Sequence, residues 1–112
     1  MIQSTGLLES GDALRGTASR MGVPLPIVVT ARGWAKMEAA GLSPTTPLAR
    51  ELLVRPDVDS VALLTVPTLE AWGIPHDACG DAGAFADALA ATVARARREE
   101  RPVALLVTGE LA

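Results

Sequence analysis

Residues 101–111 read RPVALLVTGEL, and the run from Val103 to Thr108 is short, continuous and apolar, with no alternation of polar and apolar positions. A strand with one wet face alternates, whereas a strand covered on both faces does not, so this stretch reads as a buried strand of a parallel sheet. Pro26-Ile27-Val28-Val29-Thr30 has the same character, and breakers flank both runs. At the start of the chain, MIQSTGLLESGDALRG reads as the last residues of a third such strand, Ile2 to Thr5. A tight loop over Gly6 to Glu9 and a helix from Ser10 follow in this reading.

The intervening segments carry helical signals. Ser10 is a candidate N-cap, Asp12 falls in the first turn where the helix dipole favours a carboxylate, and Leu14, Ala18 and Met21 share one face. Gly22 and Pro24 stop that helix. Near the other end, Asp81 caps a helix whose stripe is Phe85, Leu89, Val93 and Ala96. Arg95, Arg97, Arg98 and Arg101 crowd its last turns, where the dipole welcomes cations, so a solvated helix end accounts for them. GIPHDAC, residues 73–79, reads as a short strand nearer an edge than the centre. Residues 32–47 form a long connection with one helical turn at Ala35 to Ala40, and Pro47 to Val54 begins a helix that Pro56 ends.

DSVALLTVPTLEAW, residues 59–72, divides by local criteria. Val61 to Val66 has strand content, yet the Asp-Ser start and the spacing of Val61, Leu64, Thr68 and Trp72 suit a helix with Pro67 inside it. Alternating parallel-type strands and helices predict one α/β domain over residues 1–112: an open, mainly parallel sheet with helices on both faces and flavodoxin-like layering.

Composition narrows function. The chain has 112 residues, 49% hydrophobic and 21% charged, which suits a globular domain and not a disordered one. A net charge of −3, no Tyr and a single Phe argue against nucleic acid, which wants a basic face and stacking aromatics. The lone Cys79 excludes an internal disulfide and fits a reducing cytoplasm. The longest apolar runs are too short to span a bilayer, and the first residues lack a secretory pattern, so a cytoplasmic protein without membrane partners is expected.

In open parallel sheets ligands bind at the carboxyl ends of strands. Thr5, Thr30 and Thr108 end the three strands and would gather hydroxyls on that edge. His76 reads as a surface or edge residue, Cys79 lacks a metal-ligating set, and Trp34 and Trp72 suit core or interface anchors.

In order and spacing, IQSTGLLESGDALRG, MGVPLPIVVTARGW, DSVALLTVPTLEAWGIPH and RPVALLVTGEL together resemble the pyrimidine-binding domain of thiamine-diphosphate-dependent enzymes. The sulfopyruvate and phosphonopyruvate decarboxylase group is the nearest in character. The resemblance covers nearly all of this chain and about the last two-thirds of such a domain, making it an incomplete thiamine-diphosphate-binding fold. It implies a helix over residues 59–72.

In that family the loop after the third strand reads Ser-Gly-x-Gly, then a small residue and a nearby Asn, and lies against the cofactor's aminopyrimidine. By position the resemblance puts Thr5, Gly6, Leu7 and Glu9 in that loop and Asp12 near the Asn; Leu8 replaces the second Gly. Arg32 falls at the polar residue ending the next strand, where it would face the pyrimidine, a substrate carboxylate or a neighbouring subunit. Relatives activate the cofactor with a glutamate from the first half of the domain. The stretch that would hold it is absent, so Met1 resembles an internal start, and Glu9 is the one candidate substitute.

The family's Mg2+ and diphosphate are held by a second domain through Gly-Asp-Gly and a downstream Asn. CGDAG at residues 79–83 matches only in part. The resemblance therefore implies thiamine diphosphate shared with a diphosphate-binding domain or subunit, Mg2+ bound by that partner, and no decarboxylation by this chain alone. A sheet with an exposed edge also predicts homo-oligomers. Two other classes remain open: a non-enzymatic oligomerising or regulatory α/β module, and a generic flavodoxin-like small-ligand binder with STGLLESG as a weak anion cradle.

Overall fold

Val103–Val107 forms a strand buried at every position and is the axis of the sheet. The computed structural model describes residues 1–111; the expected domain over 1–112 includes Ala112, which lies outside the described residues. Four strands pair in parallel in the order β1-β2-β4-β3, with β1 at Ile2–Gln3, β2 at Pro26–Thr30, β3 at His76–Cys79 and β4 at Val103–Val107. Ile27 pairs with Ala104 and Val29 with Leu106, while Val28 pairs with Leu105 and Thr30 with Val107. Because side chains alternate along a strand, these pairs lie in two rows on opposite faces.

Right-handed crossovers assign the helices to those faces. The steps β1 to β2 and β2 to β3 run in one direction across the sheet. Their helices are α1 (Ser4–Glu9), α2 (Ser19–Met21), α3 (Trp34–Ala39), α4 (Arg50–Leu53) and α5 (Ser60–Ala71), on the Ile27–Val29 face. The step from β3 back to β4 puts α6 (Phe85–Glu99) on the other face. Leu7, Leu14, Ile27, Val29, Met37, Leu63, Leu69, Ala104 and Leu106 join in the main core on the first face. The fold is the expected open α/β sheet with both faces covered, and GIPHDAC supplies an edge strand.

One local expectation is corrected. Gly6 to Glu9 is not a tight loop: α1 begins at Ser4, directly after β1, and the chain continues as a π-helix over Asp12–Ala18 before α2. Leu7 is the reason. It is fully buried, and burial of a leucine side chain is worth about 1.5–3 kcal/mol, more than the roughly 1 kcal/mol that Gly6 costs a helix. Ser10 accordingly closes α1 instead of opening a helix: its N–H donates to the Gly6 carbonyl at 3.1 Å and its hydroxyl to the Leu7 carbonyl at 2.9 Å. Gly22 ends α2 at φ +67°, a left-handed position that glycine takes without a steric penalty. Met21, expected on the buried face with Leu14 and Ala18, is 73% exposed.

Residues 59–72 are helical. Asp59 Oδ1 accepts from the N–H groups of Val61 at 3.0 Å and Ala62 at 3.3 Å, and Pro67 lies within α5. The buried side is Ala62, Leu63, Thr65, Val66 and Leu69, so the expected stripe of Val61, Leu64, Thr68 and Trp72 is only half-buried. The buried Thr65 hydroxyl is satisfied by donating to the Val61 carbonyl at 2.8 Å. On α6 only Thr92 and Ala96 are buried; Phe85, Leu89 and Val93 are half-buried because no second helix lies beside α6 on that face.

Candidate functional site

All four strands point their carboxyl ends to one edge, and there the starts of α1 and α5 and the turn after β2 enclose a cavity of about 260 Å3. Gln3, Ser4 and Thr5 come from the β1–α1 junction, Thr30 ends β2, Arg32 and Gly33 follow it, and Asp59 and Val61 stand at the head of α5. A parallel sheet followed directly by helices produces this convergence, since each helix must start where its strand ends.

Two of the lining hydroxyls are structural. Thr30 donates its hydroxyl proton to the Ile2 carbonyl at 3.4 Å, and Ser4 donates to the Thr30 carbonyl at 3.3 Å, tying the short β1 to β2. Gln3, Thr5 and Arg32 are exposed at the rim. Among the described residues Arg32 enters none of the ion pairs, all of which involve Arg15, Arg55, Arg95, Arg98 or Arg101.

Gly33 is a point of close approach in the cavity lining. A Cβ there would stand 2.6 Å from Asp59 Oδ2 and 2.8 Å from the Ala62 Cβ, so the turn after β2 touches the head of α5 because residue 33 has no side chain. Asp59 is thereby held between its cap bonds and the Gly33 backbone.

The sequence-derived site residues divide. Thr5 and Arg32 line the cavity, and Gly6 sits just behind it, where a Cβ would meet the Ile2 Cβ at 3.7 Å. Leu7 is a core residue, Glu9 is exposed at the far end of α1, and Asp12 is exposed and bound to Arg15 at 2.8 Å. Once residues 4–9 wind into a helix, they cannot lie together along one ligand. Of the three threonines expected to end strands, Thr5 instead lies in α1, because β1 stops at Gln3; it and Thr30 share the cavity. Thr108 stands apart beside Gly80, where a Cβ would approach its hydroxyl oxygen to 2.9 Å.

Gln3, Gly33 and Asp59 were missed by sequence reasoning. A signal existed for Asp59: an Asp-Ser start to a helix in a parallel α/β fold places that cap at the carboxyl edge. Gly33 had none, because its role depends on contact with a segment 26 residues away.

Other candidates lie outside the cavity. The buried Cys79 thiol donates to the Asp81 carbonyl at 3.3 Å, and His76 opens β3 at the opposite edge. Among the described residues no group of three or more His, Cys, Asp or Glu could hold a metal ion, and no helix is long and apolar enough to cross a membrane. Trp34 is buried in the core with its Nε1 unpartnered, and Trp72 is half-buried against Gly11. The Glu99 carboxyl, at the far end of α6, is held below its ordinary range, first by the hydrogen bond from Arg95 and then by that from Arg101.

The class these features define is an open, all-parallel α/β domain of flavodoxin-like layering, with a polar cleft at its carboxyl edge. Comparison of the chain with models of protein families, with curated proteins and with solved structures gave no match.

Proposed function

We propose that this chain is the pyrimidine-binding part of a thiamine-diphosphate-dependent 2-oxoacid decarboxylase, similar to sulfopyruvate and phosphonopyruvate decarboxylases. A second domain or subunit holds the diphosphate and Mg2+. The observation that carries this reading is the cleft at the ends of the adjacent strands β1 and β2, where Gln3, Thr5 and Arg32 offer an amide, a hydroxyl and a guanidinium around one small cavity.

That donor set fits the polar edge of an aminopyrimidine. The Gln3 amide and the Thr5 hydroxyl, each able to donate and to accept, would hold the amino group and ring nitrogens of such a ring. When bound, thiamine diphosphate supplies the electron sink for decarboxylation. Arg32, exposed and without an ion-pair partner among the described residues, binds the acid group of the substrate. Among the described residues Asp59 is the only carboxylate lining the cavity, and its Oδ1 is committed to capping α5.

Titration calorimetry with thiamine diphosphate and Mg2+, with the oxythiamine analogue as control, tests the reading. Exchange of the amino group for a carbonyl removes a donor and should weaken binding by about tenfold, or ~1.4 kcal/mol. Equal affinity for the two, or no saturable heat, contradicts it.

A second reading, a non-enzymatic oligomerising module, is favoured by the half-buried Phe85, Leu89 and Val93 on α6, which lies alone on its face. A homodimer without affinity for thiamine diphosphate is its signature.

A further inference from the structure

A wide, shallow depression of about 410 Å3 lies at the opposite edge of the sheet, where α5 and α6 end and β3 begins. Its charges are arranged in an unusual way. Arg95 Nε donates to Glu99 Oε2 at 2.6 Å, Arg101 Nε donates to Oε1 at 3.0 Å with its Nη2 lying 2.7 Å from the same oxygen, and Arg98 approaches Oε2 at 3.7 Å. Three guanidinium groups share the Glu99 carboxylate, and Arg95, Arg98 and Arg101 enter no other ion pair among the described residues. The terminal nitrogens of Arg95 make no hydrogen bond within the described residues, and Arg95 and Arg101 both line the cavity.

Glu70, exposed on the last turn of α5, lines the same cavity and enters no ion pair among the described residues. An acid and two bases therefore face one cavity across a gap wider than an ion pair. The carboxyl terminus of α5 adds partial negative charge on the Glu70 side. Pro75, half-buried, gives the lining an apolar element, whereas the Ile74 side chain is buried in the core.

A simple anion would satisfy the arginines and meet Glu70 unfavourably; a simple cation would do the reverse. A small zwitterion satisfies both walls. We propose that this site binds a free α-amino acid, its carboxylate on Arg95 and Arg101, its ammonium on Glu70 and its apolar side chain on Pro75. The site is separate from the carboxyl-edge cleft and does not rest on the reading given to that cleft.

The test is an NMR titration of the whole chain with L-leucine, isocaproate (the same molecule without the amine), isoamylamine (without the carboxylate) and inorganic phosphate. The His76 imidazole, which lines the cavity, is the reporter. Saturable shifts with leucine, with each half-ligand at least about tenfold weaker, support the proposal. Glu70→Gln should weaken leucine by about tenfold and, by removing a like charge, leave isocaproate no weaker than before, and this exposed substitution does not threaten folding. Phosphate or isocaproate binding as tightly as leucine would make this a plain anion site and overturn the proposal. So would the absence of a saturable shift with every probe.

Discussion

Gly33→Ala should be among the most damaging small substitutions in this protein. The added Cβ would lie 2.6 Å from Asp59 Oδ2 and 2.8 Å from the Ala62 Cβ, and neither neighbour can yield cheaply. Asp59 is fixed by its bonds to the Val61 and Ala62 N–H groups, and Ala62 is buried in the core. Displacing Asp59 forfeits a helix cap worth about 1 kcal/mol, and forcing α5 away from β2 adds an overpacking cost of about 1–3 kcal/mol. The sum, roughly 2–4 kcal/mol, is a large share of the ~5–15 kcal/mol that stabilises a domain of this size. Urea unfolding followed by far-ultraviolet circular dichroism measures it as a lowered midpoint at unchanged slope. Asp59→Ala alone should cost about 1 kcal/mol, and Gly33→Ala should cost less in that background, with a coupling energy near 1 kcal/mol. A Gly33→Ala protein within about 0.5 kcal/mol of the parent, or strict additivity of the pair, would refute the contact between the β2 turn and the head of α5.

Leu7→Ala should destabilise by about 2–5 kcal/mol, because Leu7 is fully buried in the helix that replaces the expected loop; a small effect in the same unfolding assay would restore the loop. The Glu99 carboxyl, depressed below its ordinary value of 4.5, adds stability that is fully present above that value. That stability disappears as the pH falls through the lower folded value. Glu99→Gln should therefore narrow its stability gap to the parent as the pH is taken below about 4.5, and a gap that does not change with pH would contradict the pairing.

What the sequence made legible follows from how local each signal was. The two unbroken apolar runs, Pro26 to Thr30 and Val103 to Val107, report burial on both faces directly, and together they specified a parallel sheet. The stripe ending at Ala96 likewise marked the last helix, although Asp81 caps the short 3-10 turn Ala82–Ala84 that leads into α6 and not α6 itself. The first helix was misplaced because Gly6 and Ser10 are good loop and cap residues, while the burial of Leu7 that overrides them comes from residues far along the chain. The same limit applied at the cleft. Arg32 and Thr5 were visible as strand-end polar residues, whereas Gly33 acquires its role only from Asp59 and Ala62 pressing against it. The amino-edge cavity was hidden by a sufficient local explanation: arginines at a helix end satisfy the dipole, and only their gathering on Glu99 opposite Glu70 suggests more.

The most direct test of the central claim is to locate thiamine on the protein. In amide NMR spectra of the whole chain titrated with thiamine, the account predicts saturable shifts at Gln3 to Thr5, at Thr30, Arg32 and Gly33, and at Val61 and Ala62. It also predicts that thiamine leaves His76 and Arg101 at the other edge unmoved. Shifts confined to that other edge, or none that saturate, would contradict the assignment of the cleft to an aminopyrimidine.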